Sequence, residues 1–326
     1  MTSRTRLHWD AERTPRSVFM GTPEFAVPSL AALAGCTELV GVVSQPDRPR
    51  GRGLAPAPSP VAAWALERAC PLIRPSKVRE PVVEAVLTEW RPDLLVVAAY
   101  GRILPPAILA LPTLAPINVH ASLLPRHRGA GPIAAALLAG DGQTGITIML
   151  MAEEMDAGDL LLQRPLRILP DDTTGALTAR LAALGAVALS DAIARLRDGG
   201  LEPTPQDPAA VTYAPRLTKE DGRIRWSESA ATIERKVRAF TPWPSAFTSL
   251  AGRTLKVGRA QVASAAPPVD AAPGTIVAVD DVIRVATGEG ALDLLVVQAE
   301  GKRPLDAGAF LAGARIKVGA RFDVST

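Results

Sequence analysis

Cysteine is almost missing: Cys36 and Cys70 are the only two in 326 residues. That excludes a disulfide-stapled scaffold or a cysteine-based zinc site and fits a reducing compartment. Histidine is as scarce, with only His8, His120 and His127, too few for a multi-histidine metal cage, so no metal is expected. No run of consecutive apolar residues reaches the ~18 that a membrane span needs; the longest strand-like block is Leu94–Ala99. The first fifteen residues carry Arg4, Arg6, Asp10, Glu12 and Arg13 around no apolar centre. That is not a secretory leader, and residues 1–15 read as an N-terminal extension. A cytoplasmic protein without a membrane partner is expected. Also missing are a G-x-x-x-x-G-K-[ST] phosphate loop, a G-x-G-x-x-G after the first strand, and a G-x-S-x-G elbow. Phosphate-loop, dinucleotide and α/β-hydrolase chemistries are therefore disfavoured. Gly51-Arg-Gly53 sits in a loop with no helix after it and is no substitute.

What is present supports a real core, because 48% of residues are hydrophobic and only 21% charged. The length suggests two domains. The composition is skewed, with thirty Arg against six Lys and a single Asn, Asn118. In so skewed a chain a retained amide draws notice, although a lone Asn reads equally well as a turn or cap residue. Charge is uneven: residues 1–220 hold 22 basic and 22 acidic residues, and residues 221–326 hold 14 and 11. The whole +3 lies in that last part. Such a surface suits a polyanion or is simply a solvated face.

The first two hundred residues alternate strand and helix patterns. Strands are expected at Ser17–Met20, Leu39–Val43, Leu94–Ala99, Ile117–Val119, Thr147–Met151 and Leu160–Ile168. Helices are expected from Pro23 to about Ala34, over Val61–Ala69 and Glu80–Trp90, and from Asp172 to about Asp198, where Gly199-Gly200 stops the last. The stretch from Gln45 to Pro60 is expected as a loop. The alternation indicates an α/β fold with a Rossmann-like, doubly wound, mostly parallel sheet. After Gly200, Pro203, Pro205 and Pro208 mark a linker. Short β runs at Thr254–Val257, Thr275–Val279, Ile283–Ala286 and Leu292–Val297, with a helix over Ala230–Phe240, then predict a small antiparallel, OB-like barrel. The expected division is 16–201 for the first domain, 202–220 for the linker and 221–326 for the second.

The chemistry concentrates in Ile117-Asn-Val-His-Ala-Ser-Leu-Leu-Pro-Arg-His-Arg-Gly-Ala-Gly-Pro132. Asn118 and His120 are spaced i and i+2 on a strand, so their side chains leave the same face. The carboxyl ends of parallel strands are where open α/β sheets place ligands. Further on, Met155-Asp-Ala-Gly-Asp159 follows a strand, and its Gly permits a tight turn that aims Asp156 back at His120. Asn, His and Asp so disposed suit acyl transfer to an amine. The amide stabilises an oxyanion, the imidazole moves protons, and the carboxylate fixes the ring and favours its charged form. Without the Asn–His pair, Asp156 would read as a turn cap.

The Asn118-x-His120 pair, followed by Ser122-Leu-Leu-Pro125, Arg128-Gly129 and Pro132-Ile133, resembles the formyltransferases that use 10-formyltetrahydrofolate. Within them the chain is similar, over roughly residues 16–320, to the methionyl-tRNA formyltransferase family. The matching landmarks are Phe19-Met-Gly-Thr-Pro-Glu-Phe25, Gln45-Pro-Asp-Arg48, Gly51-Arg-Gly53, Ala99-Tyr-Gly101 with Ile103-Leu-Pro105, and Ala239-Phe-Thr-Pro-Trp-Pro244. The resemblance implies a catalytic trio of Asn118, His120 and Asp156, and a folate-contacting segment of Ser122, Leu123, Leu124 and Pro125. It also implies a tRNA-recognition loop acting through Arg52, with Arg48 and Arg50 as candidates to replace part of a missing basic pair. That pair is Leu54-Ala55 here. His127 stands where an aromatic is common, and Thr241 where an Asn is usual before Pro-Trp-Pro. The implied reaction passes a formyl group from 10-formyltetrahydrofolate, a co-substrate rather than a tightly bound cofactor, to the methionine amine of initiator methionyl-tRNA, on a monomer. Formyl transfer to a nucleotide sugar or a glycinamide nucleotide, and a catalytically silent RNA-binding module, are the alternatives.

Overall fold

The structure is a computed structural model that describes residues 7, 9, 12–50, 55–314 and 316–323. It divides into two compact units. The first comprises Met1–Pro132, Gln143–Arg167 and Thr178–Pro215; the second comprises Ile133–Gly142, Ile168–Leu177 and Arg216–Thr326.

The first unit opens on β1 (Arg16–Gly21), in which Val18, Phe19 and Met20 are wholly buried, as a strand covered on both faces requires. The α-helix expected from Pro23 starts later. A 3₁₀ turn at Glu24–Ala26 precedes α1 (Val27–Cys36). Pro28 explains the delay: it has no N–H to give to the carbonyl four residues back, so it fits only the first helical turn. Next comes β2 (Glu38–Val43). The stretch expected as a loop contains a small hairpin, β3 (Arg48–Arg50) paired antiparallel with β4 (Ala55–Ala57). Its pairing is backbone to backbone, so a Pro- and Arg-rich sequence without hydrophobic alternation can still form it. Ser59 caps α2 (Pro60–Glu67) by accepting the Ala62 N–H at 3.0 Å.

Then follow in chain order β5 (Leu72–Ile73), α3 (Pro81–Trp90), β6 (Leu94–Ala98), α4 (Pro106–Leu109), β7 (Ala115–His120), β8 (Arg128–Gly129), α5 (Pro132–Ala139), β9 (Gln143–Leu150), β10 (Leu160–Arg167), α6 (Thr174–Arg197) and β11 (Tyr213–Ala214), of which α5 after Pro132 and the first turn of α6 belong to the second unit. The main sheet runs β10-β9-β7-β6-β1-β2-β5. β5, β2, β1, β6 and β7 are parallel, while β9 and β10 join antiparallel. Strand order therefore reverses between β1 and β6, the kind of switch point that opens a crevice at the carboxyl ends. Tyr100 lies just past β6, and its carbonyl accepts from Gln45 Nε2 at 2.7 Å and Thr22 Oγ1 at 3.2 Å, tying that rim together. α6 is by length and composition apolar enough to cross a membrane. Here Leu181, Leu189 and Leu196 on it are wholly buried, and a Cβ at Gly185 would meet Ser29 Oγ and Val119 Cγ1 at 3.3 Å. It is a core helix.

The second unit holds α7 (Ala230–Ala239), β12 (Ala246–Leu250), β13 (Arg253–Val262), β14 (Ile276–Val279), β15 (Ile283–Ala286), β16 (Ala291–Ala299), β17 (Leu305–Asp306) and α8 (Ala307–Gly313). The strands pair antiparallel in the order β12-β13-β16-β15-β14, with β17 beside β16. Ile233 and Val237 of α7 join Val257, Ile283, Leu292 and Leu294 in one core. Trp226 stacks on Phe322 at 5.2 Å and donates its indole N–H to Thr248 at 3.0 Å.

Candidate functional site

β7 alternates as its sequence requires. Ile117 and Val119 are buried in the sheet, and Asn118 and His120 leave the opposite face beside Met149 and Thr147 of β9. Beyond β9 the chain doubles back, and the Leu150 N–H donates to the Asp159 carbonyl at 2.9 Å. Gly158 makes this close return feasible, since any Cβ there would run into the Leu150 carbonyl oxygen. Asp156 sits at the turn with φ +52°, a left-handed conformation that Asp tolerates better than most residues.

The three candidates meet at the Asp156 carboxylate. Oδ2 accepts the Gly129 backbone N–H at 2.8 Å, and Oδ1 lies 3.4 Å from Asn118 Nδ2, its donor. His120 Nδ1 stands 3.6 Å from Oδ2. The other ring nitrogen, Nε2, donates to the His127 carbonyl at 3.1 Å; a carbonyl can only accept, so Nε2 carries the proton. In the neutral ring Nδ1 therefore presents its lone pair to the carboxylate, and it is the atom at which a proton would be received.

The sequence predicted that the carboxylate would favour the charged imidazole. Asp156 does pull in that direction, as does the His127 carbonyl. Burial is the larger effect, the His127 side chain adds to it, and the His120 pKa falls below its ordinary value. His120 is thus neutral at rest, with a carboxylate placed to stabilise it once protonated.

The segment after His120 is fixed from beneath. Thr147 Oγ1 donates to the Ser122 carbonyl at 2.6 Å and accepts the Leu124 N–H at 3.1 Å. Gln163 Nε2 donates to the Leu124 carbonyl at 2.8 Å, and Ser122 Oγ donates to the Arg126 carbonyl at 2.6 Å. Ser122 and Leu124 are buried, whereas Leu123 and Pro125 are half-buried. Ser122 to Pro125 thus form a rigid stretch leading directly from the imidazole. Arg48 and Arg50 are placed only by their backbone, in β3; their side chains and the whole of Arg52 lie outside the described residues.

Several participants escaped the sequence. Gly129 acts through its backbone. Thr147 and Gln163 act from the antiparallel strands, and Thr147 was discoverable only from its register opposite His120. Gln206 and Arg128 belong to the same neighbourhood: Gln206 Nε2 donates to the carbonyls of Asp156 and Gly158 at 2.7 and 2.8 Å. Gln206 lies in a proline-rich stretch with no periodicity to flag it. Among the described residues no cluster of three or more His, Cys, Asp or Glu side chains could hold a metal ion.

Comparison with known proteins places the chain in a family. Residues 16–193 match the formyl transferase family and residues 216–315 the formyl transferase C-terminal domain. A methionyl-tRNA formyltransferase of Myxococcus xanthus is 46% identical over 94% of this chain and 97% of its own length. One of Sorangium cellulosum is 47% identical over 93% of this chain and 98% of its own. Among solved structures, an N-formyltransferase from Helicobacter canadensis, in complex with folinic acid and dTDP-3-aminofucose, superposes with a TM-score of 0.65 at 16% identity. It covers 88% of this chain and all of that one. HypX from Aquifex aeolicus in complex with tetrahydrofolic acid gives 0.60 at 18% identity, covering 92% of this chain and 47% of its own. At those identities the structures speak for the fold; the sequence relatives and the two family matches speak for more, and the chain belongs to the methionyl-tRNA formyltransferase family.

Proposed function

We propose that this protein transfers the formyl group of 10-formyltetrahydrofolate to the α-amino group of methionine on initiator methionyl-tRNA, giving N-formylmethionyl-tRNA. The observation that carries the reading is the meeting of Asn118, His120 and Asp156 around one carboxylate, in a chain 46% identical to a methionyl-tRNA formyltransferase over 94% of its length.

The amine lone pair attacks the formyl carbon, whose C=O electrons move onto oxygen. Asn118 spends one amide N–H on Asp156 and keeps the second for that oxyanion. The attacking nitrogen sheds a proton to His120 Nδ1, where the Asp156 charge stabilises the imidazolium. The oxyanion then collapses, the bond between formyl carbon and folate N10 breaks, and the same proton passes to N10. His120 ends neutral, ready for another cycle. Ser122, Leu123, Leu124 and Pro125 hold the folate beside the imidazole. Arg52, helped by Arg48 and Arg50, engages the acceptor end of the tRNA. The excess positive charge after residue 220 adds phosphate contacts. The folate enters and leaves as a co-substrate, and the enzyme works as a cytoplasmic monomer without a membrane partner.

Formyl transfer from 10-formyltetrahydrofolate, measured side by side on initiator and elongator methionyl-tRNA, tests the reading. Rapid N-formylation of the initiator with little on the elongator is expected. Absence of transfer to either, or a better rate on a nucleotide-linked amino sugar, would overturn it.

A further inference from the structure

We infer that Gln206 is a positioning residue for the formyl transfer, clasping the backbone of the Asp156 turn so that the carboxylate stays against His120. The inference rests on the reaction proposed above.

Gln206 uses all of its hydrogen-bonding capacity in one place. Its amide N–H groups go to the Asp156 and Gly158 carbonyls at 2.7 and 2.8 Å. Its Oε1 accepts twice from Arg128, from Nε at 3.0 Å and Nη2 at 2.9 Å. Two donors and two lone pairs are all that a glutamine has. The backbone beside it is pinned as well, because Thr204 and Leu160 exchange both N–H···O bonds at 2.7 and 2.9 Å. Gln206 therefore reaches the turn from a fixed base only two residues along the chain.

Arg128 closes the clasp from the other side. It is buried, its Nη1 lies 3.6 Å from Glu154 just before the turn, and the next residue, Gly129, gives its N–H to Asp156 Oδ2. Asp156 is consequently gripped at its main-chain carbonyl by Gln206 and at its carboxylate by the residue after Arg128. This double grip matters because φ at Asp156 is +52°. Such a conformation persists only when its surroundings over-determine it. The contact it protects, 3.6 Å to His120 Nδ1, leaves little slack. If the turn relaxed outward, the carboxylate would lose its hold on the imidazolium that forms during transfer.

The test uses the full chain in the formyl-transfer assay with initiator methionyl-tRNA. Gln206→Met removes both donors and the acceptor while keeping the length. Its kcat is expected to fall about 10–10²-fold, less than the ~10²–10⁴-fold of general acid–base assistance lost outright because the carboxylate is displaced and not removed, with KM for the tRNA within about threefold. The titratable groups acting on His120 are Asp156, which holds its pKa up, and His127, which lowers it. Displacing Asp156 should therefore move the acid limb of kcat/KM to lower pH, which a general loosening of the fold would not do. Gln206→Glu keeps a partner for Arg128 but turns both donors into acceptors facing carbonyls, so its kcat should fall at least as far. A folded Gln206→Met or Gln206→Glu protein with kcat within about twofold of the parent overturns the assignment, as does a slow Gln206→Met enzyme whose acid limb has not moved. Should Gln206→Met not fold, Gln206→Glu decides on kcat. The parent enzyme in the same assay separates the two claims: a parent that transfers no formyl group counts against the reaction, not against the clasp.

Discussion

Replacing Asp156 by Asn removes one charge at the hub of the site and almost nothing else. Asn tolerates φ near +52° about as well as Asp, so the turn has no reason to rearrange. The Gly129 N–H, now 2.8 Å from Oδ2, can be accepted by the amide oxygen. The NH2 group then faces Asn118 Nδ2, donor to donor, where Oδ1 had accepted at 3.4 Å. Asn118 must turn its amide over or lose the contact, and in either case its N–H groups change direction. The larger effect is electrostatic. A unit charge 3.6 Å from the protonated nitrogen contributes about 4–5 kcal/mol at an effective dielectric of ~20. The proton is only partly on the ring at the transition state, so part of this is felt, and kcat should drop about 10²–10³-fold. The acid limb of kcat/KM should also move to lower pH, since Asp156 is what holds the His120 pKa up against burial. Single-turnover formyl transfer at saturating folate and tRNA, across a pH series, measures both quantities, with thermal unfolding as the control for folding. A well-folded Asp156→Asn enzyme within tenfold of the parent rate would refute the role given to the carboxylate.

Three further outcomes are expected. Asn118→Ala should cost about 10²–10³-fold in kcat, as loss of an oxyanion donor does, with the unfolding midpoint little changed because Asn118 is only half-buried; near-parental transfer would remove it from the mechanism. The folded pKa of His120 lies below its unfolded value of about 6.5. The unfolded chain therefore binds the extra proton as pH falls below ~6.5, and His120 contributes a loss of stability of up to ~1.4 kcal/mol per pH unit over that window. Denaturant unfolding at several pH values should show this dependence in the parent and a shallower one in His120→Gln; parallel curves would show that the ring is not buried neutral. Arg52→Ala should slow formylation of initiator tRNA more than of a tRNA with a strong terminal pair, with a differential of about 1–3 kcal/mol if Arg52 reads bases. Equal loss on both substrates, with the salt slope reduced by about one, would mean that it only holds phosphate.

The sequence made Asn118 and His120 legible because strand periodicity is local. Alternation places i and i+2 on one face whatever surrounds the strand, and a continuous apolar block such as Leu94–Ala98 reports a strand covered on both sides. Asp156 was legible through Gly158, whose missing Cβ allows the return past the Leu150 carbonyl. Features set by partners distant in sequence left no such trace. The β3–β4 hairpin rests on backbone pairing between proline-rich tripeptides. β12, Ala246–Leu250, is short, with only Ala246 and Thr248 buried. Gln206 lies fifty residues from the carbonyl it holds.

The charge state of His120 is the most consequential feature of this second kind. A turn that aims Asp156 back at His120 argues for an imidazolium, but the ring lies beneath the site with 6% of its side chain exposed, and Asp156 itself shows only 13%. Desolvation acts on the ring at all times, whereas the attraction of the carboxylate is fully expressed only when a proton is present. Burial therefore keeps the ring neutral, and in the transfer proposed above Asp156 is the group that would stabilise a transient proton on it. A more exposed ring at the same distance from Asp156 would sit protonated and have no lone pair to offer the incoming amine. A ring equally buried but without Asp156 would stay neutral and accept a proton far less readily. The proposed transfer needs both, and the turn that carries Asp156 is held for it at the carboxylate by Gly129 and at the Asp156 and Gly158 carbonyls by Gln206.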